Sequence, residues 1–294
     1  MELLKVENLQ KYYPKKKALD NVSFTVNQGE IVALIGRNGA GKTTLMNSIV
    51  SISYPTGGAV YYKGENLLND RRGLHEFGIL INATFFDYLS VYDNLWLLME
   101  ASGATDKRSM RNTIMETLRL VGLEGQARQK VKSFSFGMKQ RLGLAQTLLV
   151  PIGFLILDEP FVGLDPAGKE LLKSVIVQKA QRDKCGILFS SHELDDVSEI
   201  CDRIVMLANG HKVYDGAFHE EKQYMVELDC SSTIICEKLL TDFKDQITIS
   251  ENKVTFNNRN LIQPVLQQLI QGSATISDLQ VHENSLYDLF KQEA

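Results

Sequence analysis

The stretch Gly36-Arg37-Asn38-Gly39-Ala40-Gly41-Lys42-Thr43-Thr44 constrains this chain more than any other. Its spacing is G-x-x-x-x-G-K-[ST], the pattern of a loop that cradles phosphate. The context fits. Residues 30–35 form an apolar run of strand length, and Leu45, Met46, Ile49 and Val50 recur at helical spacing. Gly36, Gly39 and Gly41 allow backbone conformations that a side chain forbids. Successive N–H groups can then curl around anionic oxygens at the positive end of the following helix. Lys42 adds a mobile positive charge, and the Thr43 hydroxyl is the expected magnesium ligand.

The 294 residues suffice for one large domain or two smaller ones. With 44% hydrophobic and 23% charged residues, an ordinary globular core is expected. A net charge of −4 gives no reason to expect nucleic acid as the main partner. Cys185, Cys201, Cys230 and Cys236 lack metal-type pairing, so reduced thiols of a cytosolic protein are expected. Residues 1–5 lack the basic and long apolar regions of a secretory signal. The most apolar long window, 142–157, is interrupted by Gln146, Thr147, Pro151 and Gly153, too short a run to span a bilayer. Any link to a membrane would run through another protein.

Periodicity orders the rest. Residues 3–9 and 22–26 alternate as half-buried strands do, with the lysines of 11–17 at a solvated hairpin tip. Strands are expected at 59–62, 77–81, 154–157, 187–190 and 204–207, and helices at 137–149 and 167–180. Between about 90 and 129 the pattern turns helical, with Leu95, Leu98 and Met99 on one face, Ile114, Leu118 and Val121 on another, and Gly122 as a stop. This predicts an α/β fold with a mostly parallel, doubly wound sheet and a helical subdomain at about 90–150. Asn209-Gly210 signals a hairpin. From 219 the pattern resets. Strands at 224–228, 247–249 and 253–256 (the last two joined through Glu251-Asn252), a helix at 261–270 and a capping box at Ser285-Leu286-Tyr287-Asp288 predict a small α+β appendage over 219–294.

Three further stretches carry chemistry. Phe154-Leu155-Ile156-Leu157-Asp158-Glu159 is an apolar strand ending in two carboxylates. Asp158 can hold magnesium through its water shell, and Glu159 can polarise an attacking water as a general base. Ser133-Phe134-Ser135-Phe136-Gly137-Met138-Lys139-Gln140-Arg141 precedes that strand; Gly163-Leu164-Asp165-Pro166 and Ser190-Ser191-His192-Glu193 follow it.

With these motifs in this order, residues 1 to about 217 resemble the ATP-binding cassette (ABC) transporter ATPases. The resemblance implies ATP and Mg2+ as cofactors. Asn38, Gly39, Ala40, Gly41, Lys42, Thr43 and Thr44 would surround the ATP phosphates. Thr43 and Asp158 would serve magnesium, Glu159 would be the catalytic base, and His192 would sense the γ-phosphate. Tyr13 would stack on adenine, with Tyr12 as the competing choice. Asp165 would bridge two subunits, and Ser135 and Gly137 would bind the γ-phosphate held by a second ATPase subunit, in a homodimer. An N-cap role for Ser135 is compatible with that.

Two departures stand out. The usual L-S-G-G-Q signature is here Phe134-Ser135-Phe136-Gly137-Met138. The loop that usually offers magnesium a glutamine has Asn82, the same amide on a shorter arm. Residues 134–141 and the Asn82 region most resemble the bacterial exporters of antimicrobial and amphipathic peptides, which include bacitracin-resistance, lantibiotic-immunity and modulin-export systems. The implied partner is a polytopic membrane subunit at the cytoplasmic face of the cell membrane, docked near Asn82, Phe85, Phe86 and Tyr88. For Phe85 and Phe86 core packing is an equal alternative. Two other readings are an ABC ATPase acting on ribosomes or DNA, and a P-loop kinase or GTPase. The single cassette without long coiled-coil arms weighs against the first. The helical insert, residues 133–141 and His192 weigh against the second.

Overall fold

Two long strands open the chain, β1 (Glu2–Tyr13) and β2 (Lys16–Asn27), followed by β3 (Ile31–Ile35), helix α1 (Lys42–Ile49), β4 (Gly57–Tyr62) and the short β5 (Glu65–Asn66). The computed structural model describes residues 1–14, 16–217, 223–230, 236, 238–243, 246–250, 253–256 and 258–284. The first four-stranded sheet has the order β2-β1-β4-β5 and is antiparallel. Its strands alternate buried and exposed side chains, as a sheet with one wet face does.

Next come β6 (Phe77–Leu80), α2 (Val91–Ala101), α3 (Lys107–Leu120), α4 (Phe136–Thr147), β7 (Phe154–Leu157), α5 (Pro166–Asp183), β8 (Gly186–Ser191), the short α6 (Asp195–Ser198), β9 (Arg203–Ala208) and β10 (His211–Ala217). The second sheet has the order β10-β9-β3-β8-β7-β6, parallel except for β10. Every residue of β3, β7 and β8 is buried, the signature of parallel strands covered on both faces. One core unites the two sheets with α1, and Phe77 touches both Tyr62 and Phe154 at ring distances of 4.8 and 5.1 Å. The carboxyl ends of β3, β6, β7 and β8 come out along one edge of the parallel sheet, where such folds place their ligands.

The expected elements are present, with local corrections. In α2, Leu95 and Met99 are buried but Leu98 is 41% exposed, so the apolar stripe runs through positions four apart and leaves Leu98 outside it. Helix α4 starts at Phe136 and ends at Thr147, capped by Ser135 rather than starting at 137. Helix α3 closes onto Gly122, whose φ of +67° is the left-handed turn that ends helices. Asn209 and Gly210 both have positive φ, as a tight hairpin between β9 and β10 requires.

The chain divides into two compact units, Met1–Phe218 and His219–Ala294. In the second, β11 (Gln223–Cys230), β12 (Thr248–Ser250), β13 (Lys253–Phe256) and β14 (Ile276–Asn284) form an antiparallel sheet of order β12-β13-β11-β14. Helix α7 (Ile262–Gln271) packs Val265 and Leu269 with Val254 and Phe256 of β13. Residues Glu251-Asn252 and Ser285-Leu286-Tyr287-Asp288 lie outside the described residues.

Candidate active site

The phosphate loop leaves β3 at Ile35 and enters α1 at Lys42. Gly39 and Gly41 take φ of +88° and +112°. A Cβ on Gly36 would stand 2.4 Å from the Leu207 carbonyl, and one on Gly41 2.6 Å from that of Ala18. Gly210 N donates to the Ala40 carbonyl at 3.0 Å, so the β9–β10 turn fastens the loop from beneath. Gly41 caps α1 without a side-chain hydrogen bond, which leaves the N–H groups of the first turn for a ligand.

Lys42 is only 5% exposed. Its Nζ donates to the Gly36 carbonyl at 2.6 Å and pairs with Glu159 Oε1 at 3.0 Å. That glutamate oxygen is buried and has no well-aligned hydrogen-bond donor, so the ion pair is its compensation. Glu159 Oε2 lies 2.8 Å from His192 Nδ1. One carboxylate thus joins the loop lysine to the histidine at the end of β8.

Asp158 faces the other way. Its Oδ2 accepts from Thr43 Oγ1 at 2.7 Å and its Oδ1 from Ser190 Oγ at 2.6 Å. The split follows from the backbone. Glu159 has φ of +47°, a left-handed conformation costing a non-glycine residue about 1–2 kcal/mol. The turn sends Glu159 towards Lys42 and His192 while Asp158 keeps Thr43.

Sequence reasoning gave no role to Ser190. Leu157 pairs with Phe189 across β7 and β8, so Ser190 is level with Asp158. Its hydroxyl donates to the Asp158 carboxylate and accepts from Glu159 N at 2.7 Å, fixing one carboxylate and the backbone of the next residue through one atom. A hydroxyl at the end of the strand after an Asp-Glu strand was the available signal, but it needs the sheet register to be read.

Lys16, Ala18, Arg37, Asn38, Gly39, Gly41, Lys42, Thr43, Thr44 and Glu159 line a cleft of about 180 Å³. Lys16 was not foreseen there; its Nζ donates to the Gly39 carbonyl at 3.1 Å. Tyr13 does not line the cleft, but it pairs with Lys16 across β1 and β2 and so shares its side of the hairpin. Tyr12 is engaged otherwise, donating to Asp20 Oδ1 at 3.0 Å beneath Lys17.

The donor set fits a magnesium nucleotide. Thr43 and Asp158 present oxygens at one point, as hard cations require, and Lys42 supplies positive charge on the cleft wall. Among the described residues no group of three His, Cys, Asp or Glu could hold a metal unaided, so such an ion would need phosphate oxygens as well. Asn82 is exposed, with φ of +52°; it lies two residues past the end of β6, whose Leu80 pairs with Leu157. No hydrogen bond joins it to Thr43 or Asp158 among the described residues.

Ser135, Gly137 and Asp165 form a second group. Ser135 Oγ caps α4 by accepting from Met138 N at 3.3 Å, and Asp165 caps α5 by accepting from Gly168 N at 3.0 Å. A Cβ on Gly137 would lie 2.7 Å from the Gly163 carbonyl, so the two loops fit only with glycine there. Ser135 and Asp165 are exposed, and none of the three lines the cleft.

Fold and site define a P-loop ATPase with a helical insert, its two carboxylates at the end of one parallel strand. The ABC transporter family profile matches residues 19–162. The chain is 30% identical over 302 residues to the bacitracin transport ATP-binding protein BcrA of Enterococcus faecalis, covering 99% of this chain and 96% of that one. It is 36% identical over 227 residues to the lantibiotic transport ATP-binding protein SrtF of Streptococcus pyogenes, covering 76% and 96%. In fold it matches an ATP-binding cassette whose dimeric structure holds ADP and Pi after hydrolysis, with a TM-score of 0.69 and 23% identity over 74% of this chain and 99% of that one. This chain belongs to the ABC transporter family, as its ATP-binding, ATP-hydrolysing subunit.

Proposed function

We propose that this ATPase drives the export of antimicrobial or amphipathic peptides, as one of two identical subunits arranged head to tail on a polytopic membrane partner at the cytoplasmic face of the cell membrane. The observation that carries the pairing is the separation of the two groups of site residues. Ser135, Gly137 and Asp165 sit outside the cleft that Lys42, Thr43 and Glu159 line, which supports a second copy as the source of the signature residues at each cleft. No helix among the described residues is long and apolar enough to cross a membrane, which supports a separate partner. The bacitracin and lantibiotic relatives support the peptide class.

The residues divide the work. Lys42 and the loop amides neutralise phosphate charge, and Thr43 and Asp158 would hold magnesium, with Asn82 reaching it through a water. Magnesium supplies charge neutralisation at the phosphates. Glu159 orients the attacking water and takes its proton. His192 keeps Glu159 in line and reports the state of the cleft. Tyr13 offers the adenine a ring face. Closure of the pair completes both sites, and release of products reopens it.

The test is a pull-down of tagged Glu159→Gln protein from detergent-solubilised native membranes with magnesium and ATP. A polytopic membrane protein among the captured partners is the expected result. Capture of ribosomal or DNA-bound proteins instead would overturn it in favour of an ATPase acting there.

A further inference from the structure

One side chain reaches Glu159 from a direction that the phosphate chemistry does not require. Gln140, on α4, donates from Nε2 to the Glu159 carbonyl at 3.2 Å, in a partly buried contact. Val162 N donates to the same carbonyl at 3.3 Å. The Glu159 amide is held in turn by Ser190 Oγ. Both peptide groups flanking Glu159 are therefore anchored, and they need to be. A non-glycine residue at φ +47° persists only where its surroundings over-determine it. If the Gln140 anchor is released, the peptide can relax and draw the carboxylate away from Lys42 and His192.

The position of Gln140 gives the anchor its meaning. Helix α4 is a single rod of 12 residues with Ser135 at its N-cap. Gln140 lies five residues beyond Ser135, about 7.5 Å along the axis at 1.5 Å per residue. Gly137, between them, is fitted against the Gly163 carbonyl of the loop that follows Glu159. Ser135 and Gln140 thus share one rigid element, so a displacement at its anion-attracting start would be carried to Gln140.

We infer that Gln140 is a positioning residue that couples the two nucleotide sites of the pair. Phosphate arriving at Ser135 belongs to the partner's cleft, whereas Gln140 sets the glutamate of this chain's own cleft. Hydrolysis at one site then answers to the filling of the other. The inference rests on the head-to-tail pairing proposed above.

The experiment compares wild type with Gln140→Met, which keeps the length and loses the donor, and Gln140→Glu, which keeps the shape and places a carboxylate on the carbonyl. Steady-state ATPase rates and equilibrium ATP binding are measured across ATP concentrations. The expected result is a kcat lower by about tenfold, the scale of one lost hydrogen bond at a strained site. ATP affinity should hold or rise, as withdrawal of Glu159 from Lys42 allows, and the Hill coefficient should fall to 1, as a coupling lost without loss of binding requires. An unchanged kcat, an unchanged Hill coefficient, or a parallel loss of ATP affinity overturns the coupling. Sedimentation with ATP of Glu159→Gln, alone and with Gln140→Met added, separates this from the pairing itself. Dimers in both variants, alongside the lowered kcat and Hill coefficient, are the expected result. A Glu159→Gln protein that stays monomeric overturns the pairing and the coupling with it.

Discussion

The Lys42 ammonium and the Glu159 carboxylate stand 3.0 Å apart across the cleft. The cation expected to hold the outer phosphates is thus already paired with the group expected to act as base, and an incoming anion must compete for it. Glu159→Gln removes the competing charge along with the base. We expect kcat to fall by at least about 100-fold, the scale of one lost general base. ATP affinity should rise, because the buried Lys42 no longer shares its charge with a carboxylate. Steady-state ATPase assays and equilibrium binding check both; weaker ATP binding by the variant would show that the pair does not compete.

Ser190 serves two carboxylate residues with one hydroxyl. Ser190→Ala should cost about 1–3 kcal/mol of stability, because Glu159 N and Asp158 both lose a partner in a partly buried place. Denaturant midpoints measure this. Ser190→Thr, which keeps the hydroxyl but adds a methyl at a fully buried strand position, should recover only part of it.

The two left-handed glycines of the phosphate loop should not respond alike. A Cβ at Gly41 meets the Ala18 carbonyl at 2.6 Å, whereas at Gly39 the nearest atom is the tip of Lys16 at 3.8 Å. Gly39→Ala then carries only the backbone cost of a positive φ, about 1–2 kcal/mol. Gly41→Ala adds a clash with main chain and should lose stability and ATP binding more severely. Equal effects in a side-by-side thermal melt would contradict this.

Phe86 and Tyr88 are 51% and 67% exposed and contact each other edge to face at 6.1 Å. The core-packing alternative therefore fails for Phe86, while Phe85 is half-buried. Aromatic pairs left in solvent suit a docking site. Replacing both by alanine should release the membrane partner from the Glu159→Gln complex without lowering ATP binding. Co-purification measures the first and equilibrium binding the second.

Burial pushes the thiols of Cys185 and Cys201 up to about 12. At pH 8 the thiol form far outweighs the thiolate, the form that reacts. Iodoacetamide should therefore leave both unlabelled in the folded protein and label them in denaturant, with peptide mass spectrometry as the readout.

What the sequence disclosed and what it withheld follow one physical division. The phosphate loop, the Asp158-Glu159 strand end and the Ser135 cap are contiguous patterns, so their chemistry is written in neighbouring residues. Ser190 and Gln140 act through strand register and helix packing, which no local pattern encodes. Leu98 misled because spacings of three and four both read as one helical face. Strand β10 escaped notice because none of its residues is buried. In β14 the apolar residues Ile276 and Leu279 are three apart, and a register shift near Ile276 breaks the alternation.

The turn at Gly210 fastens the phosphate loop through Ala40, and the Ala18 and Leu207 carbonyls close on the faces of Gly41 and Gly36. The loop's shape is therefore settled when the sheet folds, before any nucleotide arrives. A loop held in this way lowers the ordering cost that nucleotide binding would otherwise carry. Mutations in the β9–β10 hairpin, distant in sequence but bonded to the loop through Gly210 and Ala40, would loosen the grip on nucleotide, so a defect at residue 210 can still be a defect of the cradle.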